Sequence, residues 1–121
     1  MRIKIKRHTA VCGGSEETNR YRKTLRKLEG RWVEVETEFM FQNQYNTGPV
    51  PGSVCGLRVF GENVEKIDYQ GDKVLEAVHK AMQAGKIQCH SYLRNKGEFA
   101  DLHGNIPTDV SLALLQATAT P

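Results

Sequence analysis

Hydrophobic and polar residues alternate with a period of two along the first two strands that the sequence predicts. In the first, over 2–11, Ile3 and Ile5 alternate with lysines, which is typical of a strand with one buried face. The second strand covers 32–42. Its inward residues are expected to be Val33, Val35, Thr37, Phe39 and Phe41, and its outward residues Trp32, Glu34, Glu36, Glu38 and Met40. Both strands are therefore expected to contribute to one buried layer.

Three further strands are predicted from shorter alternating stretches. They lie at 54–60, 64–69 and 86–93. The side chains expected to face inward are Cys55, Leu57, Val59, Ile87, Cys89 and Leu93. The Gly-Glu-Asn sequence at 61–63 predicts a tight turn between the first two of these strands.

Two helices are predicted from capping signals and from apolar residues at helical spacing. Ser15 is the expected N-cap of the first, acidic residues follow in its first turn, and Gly30 ends it. Its inward side carries Thr18, Tyr21, Leu25 and Leu28. The second opens at 71–72 and ends before Gly85. Its apolar stripe consists of Val74, Leu75, Val78, Ala81 and Met82.

The chain after the last of these strands predicts a short helix and a tail. The Pro-Thr-Asp sequence at 107–109 follows a turn at 95–97 and is a typical helix start. The helix carries Val110, Leu114 and Leu115, and 116–121 is expected to fray.

The resulting order of elements, β-α-β-β-(β)-α-β, indicates an α+β fold. It is the order of a ferredoxin-like sandwich, a small two-layer architecture. The prediction is a mostly antiparallel sheet of 4–5 strands with two helices on one face, plus the short C-terminal helix. At 121 residues there is room for one domain with a core, and we expect it to span 1–115.

Composition indicates a globular protein of the cytoplasm. Hydrophobic residues make up 39% and charged residues 26% of the chain, too apolar for disorder and without a run that could span a membrane. The basic start is not followed by an apolar stretch, so no signal peptide is expected. Three widely spaced cysteines, an odd number, are typical of free thiols in a reducing compartment.

Positive charge is concentrated at the start of the chain. Ten of the 17 Lys and Arg residues, but only three of the 14 Asp and Glu residues, lie in the first 31 positions. On the first helix the basic residues occupy the side opposite the apolar one; they are Arg20, Arg22, Lys23, Arg26 and Lys27. Together with the basic arm at 2–7 they make nucleic-acid binding one hypothesis. A merely solvated helix face is the structural alternative.

The outward face of the predicted sheet argues against nucleic acid. The acidic row Glu34, Glu36 and Glu38 would repel phosphates, and structural pairing of Glu36 with Arg58, and of the other carboxylates with Lys4 and Lys6, is the favoured interpretation. The same face is expected to display aromatic or polar ring side chains that suit a ligand or partner. These are Trp32, Phe60, His90 and Tyr92.

Two further features favour binding and self-association. The polar loop 43–53 is longer than a hairpin requires, and Tyr45 is placed at its tip as a partner contact. The apolar segment Val110, Leu112, Ala113, Leu114 and Leu115 either closes the core or packs against a second copy, and we expect a homo-oligomer, most simply a dimer.

No motif commits the chain to catalysis. The Cys12-Gly-Gly-Ser15 turn lacks the arginine of a phosphatase loop and the spacing of a nucleotide-binding loop. The histidines and cysteines have no spacing of a four-ligand metal site. The sequence therefore predicts no catalytic residue, no metal and no cofactor.

Three hypotheses about function result. The first is a non-catalytic module that self-associates and binds a partner or small ligand through Trp32, Tyr45, Phe60, His90 and Tyr92. The second is a nucleic-acid-binding protein acting through the basic helix and arm. The third is a small enzyme with His90 or Cys12 in a cleft; catalysis is the less favoured outcome, and no membrane is involved.

Overall fold

The computed structural model describes residues 1–37, 43–87, 91–93, 98–100, 108, 110–112 and 115. Its elements are β1 (Arg2–Ile5), α1 (Glu16–Lys27), β2 (Trp32–Glu34), β3 (Gln44–Asn46), β4 (Arg58–Phe60), β5 (Val64–Asp68), α2 (Lys73–Gln83), β6 (Ser91–Leu93) and β7 (Glu98–Ala100). The protein is therefore α+β, as predicted. The chain forms two compact units, one from Met1–Glu36 and Gln44–Asp68 and the other from the described parts of Thr37–Asn43 and Tyr69–Pro121.

The first unit is built around β1, which lies between β2 and β5 and is antiparallel to both. Ile3 lies opposite Val33 on one side and Ile67 on the other. Ile3 and Ile5 are buried, whereas Arg2 and Lys4 lie on the opposite face. The alternation predicted for the start of the chain is confirmed, but the strand ends at Ile5 rather than at 11.

The Lys6 N–H donates to the Asn63 carbonyl, and residues 9 and 10 are held by side chains instead of by a neighbouring strand. The Asn63 amide accepts from the Ala10 amide N–H at 2.9 Å and donates to the Ala10 carbonyl at 3.0 Å. The Glu29 carboxylate accepts from the Thr9 hydroxyl at 2.7 Å and from its backbone N–H at 3.1 Å. The backbone polar groups of this segment thus find partners outside a sheet.

Beyond Glu34 the chain passes from the first sheet to a second one. Val35 forms an isolated bridge with Thr47, and the Glu36 N–H donates to the Asn46 carbonyl at 2.7 Å. The inward residues Val33, Val35 and Thr37 are buried and the three alternating with them are exposed, which confirms the predicted pattern as far as residue 37. Positions 38–42 lie outside the described residues.

The second sheet pairs β3 with β4 and corrects the sequence prediction for 43–60. The predicted loop contains a strand, Gln44–Asn46, and the predicted strand at 54–60 is reduced to Arg58–Phe60. Val59 is buried, as expected, but Cys55 is exposed because the chain at 52–57 forms turns rather than a strand.

Helix α1 begins and ends close to the predicted residues. The Ser15 hydroxyl accepts from the Thr18 N–H at 3.1 Å as N-cap. Leu25 and Leu28 are buried. After the helix, the Gly30 N–H donates to the Ile5 carbonyl and the Ile5 N–H donates to the Arg31 carbonyl, so the end of α1 is fixed to β1.

The second unit contains α2 and a hairpin. Asp72 caps α2 by accepting from the Leu75 N–H at 3.0 Å, and its buried residues are Leu75, Val78, His79 and Met82. Strands β6 and β7 pair antiparallel, with Tyr92 opposite Phe99; β7 was not predicted. Residues 108, 110–112 and 115 are helical, as predicted, and Val110 is buried.

The structure does not confirm the ferredoxin-like order. Strand β1 has β2 and β5 as its neighbours, and the other described strands form two separate two-stranded sheets. The single-domain boundary at 115 stays a prediction. In the part of the chain that the structure describes, no helix has the length and apolar character needed to cross a membrane.

Candidate functional site

The ring side chains proposed as a ligand surface do not share one sheet. Trp32 lies on β2 and Phe60 on β4, each 41% exposed. Tyr45 is only 3% exposed, because 44–46 forms a strand on which Tyr45 lies opposite the buried Val59. Its predicted position at a loop tip is therefore wrong. His90 and the side chain of Tyr92 lie outside the described residues.

The exposed face of the three-stranded sheet balances its own charges. An Arg2 guanidinium nitrogen lies 2.6 Å from an Asp68 carboxylate oxygen and the guanidinium stacks 5.5 Å from the centre of the Trp32 ring. The Lys4 ammonium lies 3.5 Å from Glu65, which a bulge in the pairing of β1 with β5 adds to the strand. Arg2 and Lys4 therefore have carboxylate partners within the sheet, whereas Lys66, which lies opposite Lys4, has none among the described residues.

The pairings differ from those predicted with the acidic row. Lys4 pairs with Glu65 of β5 rather than with a carboxylate of β2. Arg58 lies opposite Asn46 rather than Glu36, because the pairing of β3 with β4 sets its register.

Helix α1 carries cations without such partners. Arg20, Lys23, Arg26 and Lys27 are exposed, and within the described residues no carboxylate oxygen lies within 4.0 Å of any of them. Two more exposed arginines lie near the C-terminal end of the helix. Arg31 follows the helix in sequence, and the Arg7 side chain lies beside Gly30. We call these six residues the basic face.

Arg22 does not belong to the basic face, although the sequence placed it there. Its guanidinium donates to the Val11 carbonyl at 3.0 Å, to the Gly13 carbonyl at 2.7 Å and to the Asn19 side chain. The reason is that the segment before α1 has no strand beside it, so an arginine on that flank satisfies its carbonyls. The two carbonyls flank Cys12, so these hydrogen bonds also hold the turn there. The Cys12 thiol is exposed and free.

A groove of about 290 Å³ lies beside the basic face, between α1 and the loop 52–57. Its lining residues are Glu17, Arg20, Tyr21, Thr24, Ser53 and Leu57. Gly52 also lines the groove. It has a φ of 95°, a left-handed conformation that favours glycine, and a Cβ there would lie 3.5 Å from the Thr24 hydroxyl oxygen. Arg20 belongs both to the groove and to the basic face.

The walls of the groove are held by hydrogen bonds to backbone carbonyls. The Tyr21 hydroxyl donates to the Arg58 carbonyl and the Ser53 hydroxyl to the Gly56 carbonyl. The Thr24 hydroxyl donates to the Arg20 carbonyl at 3.1 Å. Burial raises the pKa of the Tyr21 phenol, the positive Arg58 lowers it and Glu62 raises it further. Tyr21 therefore stays protonated and keeps its ring in place.

Sequence reasoning found the basic residues and named the loop 43–53, whose Gly52 and Ser53 line the groove, as a binding feature. It did not place residues 52–57 against α1. Among the residues that the structure describes, no three His, Cys, Asp or Glu side chains are grouped as a metal site. Comparisons with protein-family models, with curated proteins and with solved structures found no match.

Proposed function

We propose that the protein is a non-catalytic α+β binding module whose basic face binds the phosphate backbone of nucleic acid. The proposal is supported by the difference between cations that form ion pairs and cations that do not. Arg2 and Lys4 of the sheet have carboxylate partners, and so do the lysines of α2, which pair with Glu76. Four of the five cations of α1 are left exposed and without an ion pair within the described residues; they are Arg20, Lys23, Arg26 and Lys27.

Leaving these cations unmatched has a cost that an anionic partner removes. Lys23 and Lys27 are separated by four residues on one side of the helix, and such like-charged pairs destabilise a helix by roughly 0.2–0.5 kcal/mol. Basic residues near the helix end offset part of this cost by interacting with the helix dipole, but Arg20 and Lys23 lie too far from the end to do so. Phosphates along the helix would offset the rest.

Glu34, the first residue of the acidic row that argued against nucleic acid, lies on β2 and not on α1, and Glu38 lies outside the described residues. Glu34 belongs to the exposed face of the sheet, where Arg2 lies directly opposite it. The basic face instead lies on α1 and past its end. With 12 residues, α1 is about 18 Å long, enough to follow several phosphates of one strand.

Replacing Arg20, Lys23, Arg26 and Lys27 by Gln is expected to weaken binding to a mixed-sequence oligonucleotide on the order of a hundredfold at low salt. The slope of log affinity against log salt concentration should fall by about 3, because four phosphate contacts are lost. Fluorescence anisotropy over a salt series measures both quantities, and circular dichroism checks that the variant is folded.

The matched control removes the same charge elsewhere, with Lys66, Lys73, Lys80 and Lys86 replaced by Gln. It should bind nearly as tightly as the natural chain. Equal loss in both variants, or no salt-dependent binding by the natural chain, would contradict the proposal. Tighter binding to poly-glutamate than to oligonucleotides would reassign the basic face to an acidic protein.

Self-association is a second proposal, supported by apolar residues of the C-terminal segment. Leu112 is 54% and Leu115 64% exposed, whereas Val110 is buried. A second copy that covers both leucines would remove them from water. We expect a dimer in sedimentation velocity, converted to a monomer by Leu112→Lys. A natural chain that stays monomeric at its highest soluble concentration would count against the proposal.

We also assign the protein to a reducing compartment such as the cytoplasm. Two cysteines, Cys12 and Cys55, are free and exposed. Exposed free thiols persist where glutathione and thioredoxin keep them reduced, which supports this assignment.

A further inference from the structure

The groove and the basic face differ in the ligand chemistry that they offer. The basic face presents cations only. The groove adds the Glu17 carboxylate, the hydroxyl oxygens of Thr24 and Ser53, and apolar surface from Tyr21 and Leu57. Because a carboxylate repels phosphate, the groove suits a neutral group that lies beside a phosphate chain.

Apart from the Arg20 guanidinium, which donates, the polar side-chain atoms of the groove act as hydrogen-bond acceptors. The hydroxyl hydrogens of Thr24 and Ser53 are donated to backbone carbonyls, so each oxygen is left with accepting capacity. The Glu17 carboxylate is acceptor-only when ionised. The matching ligand therefore carries N–H donors on its edge and a flat apolar surface that packs against Tyr21 and Leu57.

An unpaired nucleobase has both properties. The amino groups of cytosine and adenine donate to carboxylate and carbonyl oxygens, and base faces pack on aromatic and apolar side chains in proteins that bind single strands. Arg20 joins the two surfaces, since it lines the groove and belongs to the basic face. A base in the groove and its phosphates on α1 are thus adjacent parts of one strand.

We propose that the groove accommodates one unpaired, amino-bearing base of a single-stranded nucleic acid whose phosphates lie on the basic face. This inference rests on the proposed function and adds the substrate class to it. A duplex meets the basic face but keeps its bases stacked and paired, and taking one out costs a few kcal/mol. Single strands are therefore bound more tightly than duplexes of the same length.

The first test compares single-stranded oligocytidine, oligouridine and a duplex of the same length, each as RNA and as DNA. In the natural chain oligocytidine is expected to bind about tenfold more tightly than the duplex and several-fold more tightly than oligouridine, which lacks the amino group. The RNA and DNA arms identify which sugar the protein prefers.

Two variants of the groove separate this inference from the proposed function. Glu17 is exposed and its change to Gln is conservative, so the Glu17→Gln variant stays folded. This variant should lose the preference for cytosine over uracil and keep the salt slope of the natural chain. Leu57→Ser removes an apolar wall and should lower single-strand affinity about tenfold with little effect on duplex binding.

The outcomes of the two experiments are distinguishable. If oligonucleotides bind with the expected salt slope, but single strands and duplexes bind equally and Glu17→Gln changes nothing, the groove assignment is overturned and the phosphate-binding function stands. If the natural chain shows no salt-dependent binding, both are overturned. Loss of the cytosine preference in Glu17→Gln, with the slope retained, supports both.

Discussion

Replacing Gly56 by alanine is expected to destabilise the first unit by roughly 3 kcal/mol, because a left-handed conformation and an overpacked contact each cost about 1–3 kcal/mol. Gly56 has a φ of 81°, and a Cβ there would lie 2.2 Å from the Thr47 carbonyl oxygen. The segments that carry Gly56 and Thr47 cannot easily move apart. The Leu57 N–H donates to the Thr47 hydroxyl at 3.0 Å and the Thr47 N–H donates to the Leu57 carbonyl at 2.9 Å. Urea denaturation followed by tryptophan fluorescence measures the free energy of unfolding.

Two other glycines serve as controls for the two contributions. Gly30 lies in the same unit and has a φ of 75°, and a Cβ there would meet only the flexible Arg7 side chain at 3.7 Å. Gly30→Ala therefore measures the backbone conformation and should cost about 1 kcal/mol. Gly48 has neither constraint, and Gly48→Ala should be close to neutral. If Gly56→Ala costs no more than Gly30→Ala, the contact with Thr47 is not rigid and the groove that this loop forms is adaptable.

Local signals predicted the two helices well. The N-caps Ser15 and Asp72 and the glycines after the helix ends lie next to the residues they affect, so a single sequence contains the whole signal. The same holds for the alternation at the start of β2, where several residues in succession share one period.

Short strands were predicted poorly because their partners are distant in sequence. β3, β4 and β7 have three residues each, and a strand of that length contains too few residues to establish a period. Tyr45 is buried because β4, more than ten residues later, pairs with its strand. The polar residues around Tyr45 suggested a loop, and only the pairing with Val59 reveals the strand.

The candidate site was half predictable for a related reason. The sequence identifies the basic residues of α1, but which of them are unmatched depends on contacts that form in the folded chain. Arg22 was indistinguishable from Arg26 by position, yet its guanidinium is engaged by the carbonyls of Val11 and Gly13. The groove likewise depends on where the turns at Gly52 and Gly56 place the loop against α1.

Lowering the pH from 6.5 to about 4 is expected to remove about 3 kcal/mol of stability through His79 alone. The side chain is 0% exposed, and burial lowers its pKa from 6.5 to about 4. Between these values the unfolded chain binds a proton that the folded chain does not, so acid favours unfolding by about 1.4 kcal/mol per pH unit. Above pH 6.5 both states are neutral at this residue and the effect vanishes. Urea denaturation at pH 7 and at pH 4.5 measures the difference.

His79→Phe isolates this contribution from that of the carboxylates. Hydrogen bonds from Thr9 lower the pKa of Glu29, and the hydrogen bond from Lys80 lowers that of Glu76. Protonation of either carboxylate therefore also destabilises the fold, at the lower end of the same pH range. These losses should persist in His79→Phe, whereas the loss between pH 6.5 and 4.5 should shrink. The His79 ring, whose Nδ1 lies 2.8 Å from the Tyr69 hydroxyl, gives a direct check. Its imidazole resonances should show no titration midpoint above pH 5. An equal loss of stability in the natural chain and in His79→Phe would assign the acid sensitivity to the carboxylates instead.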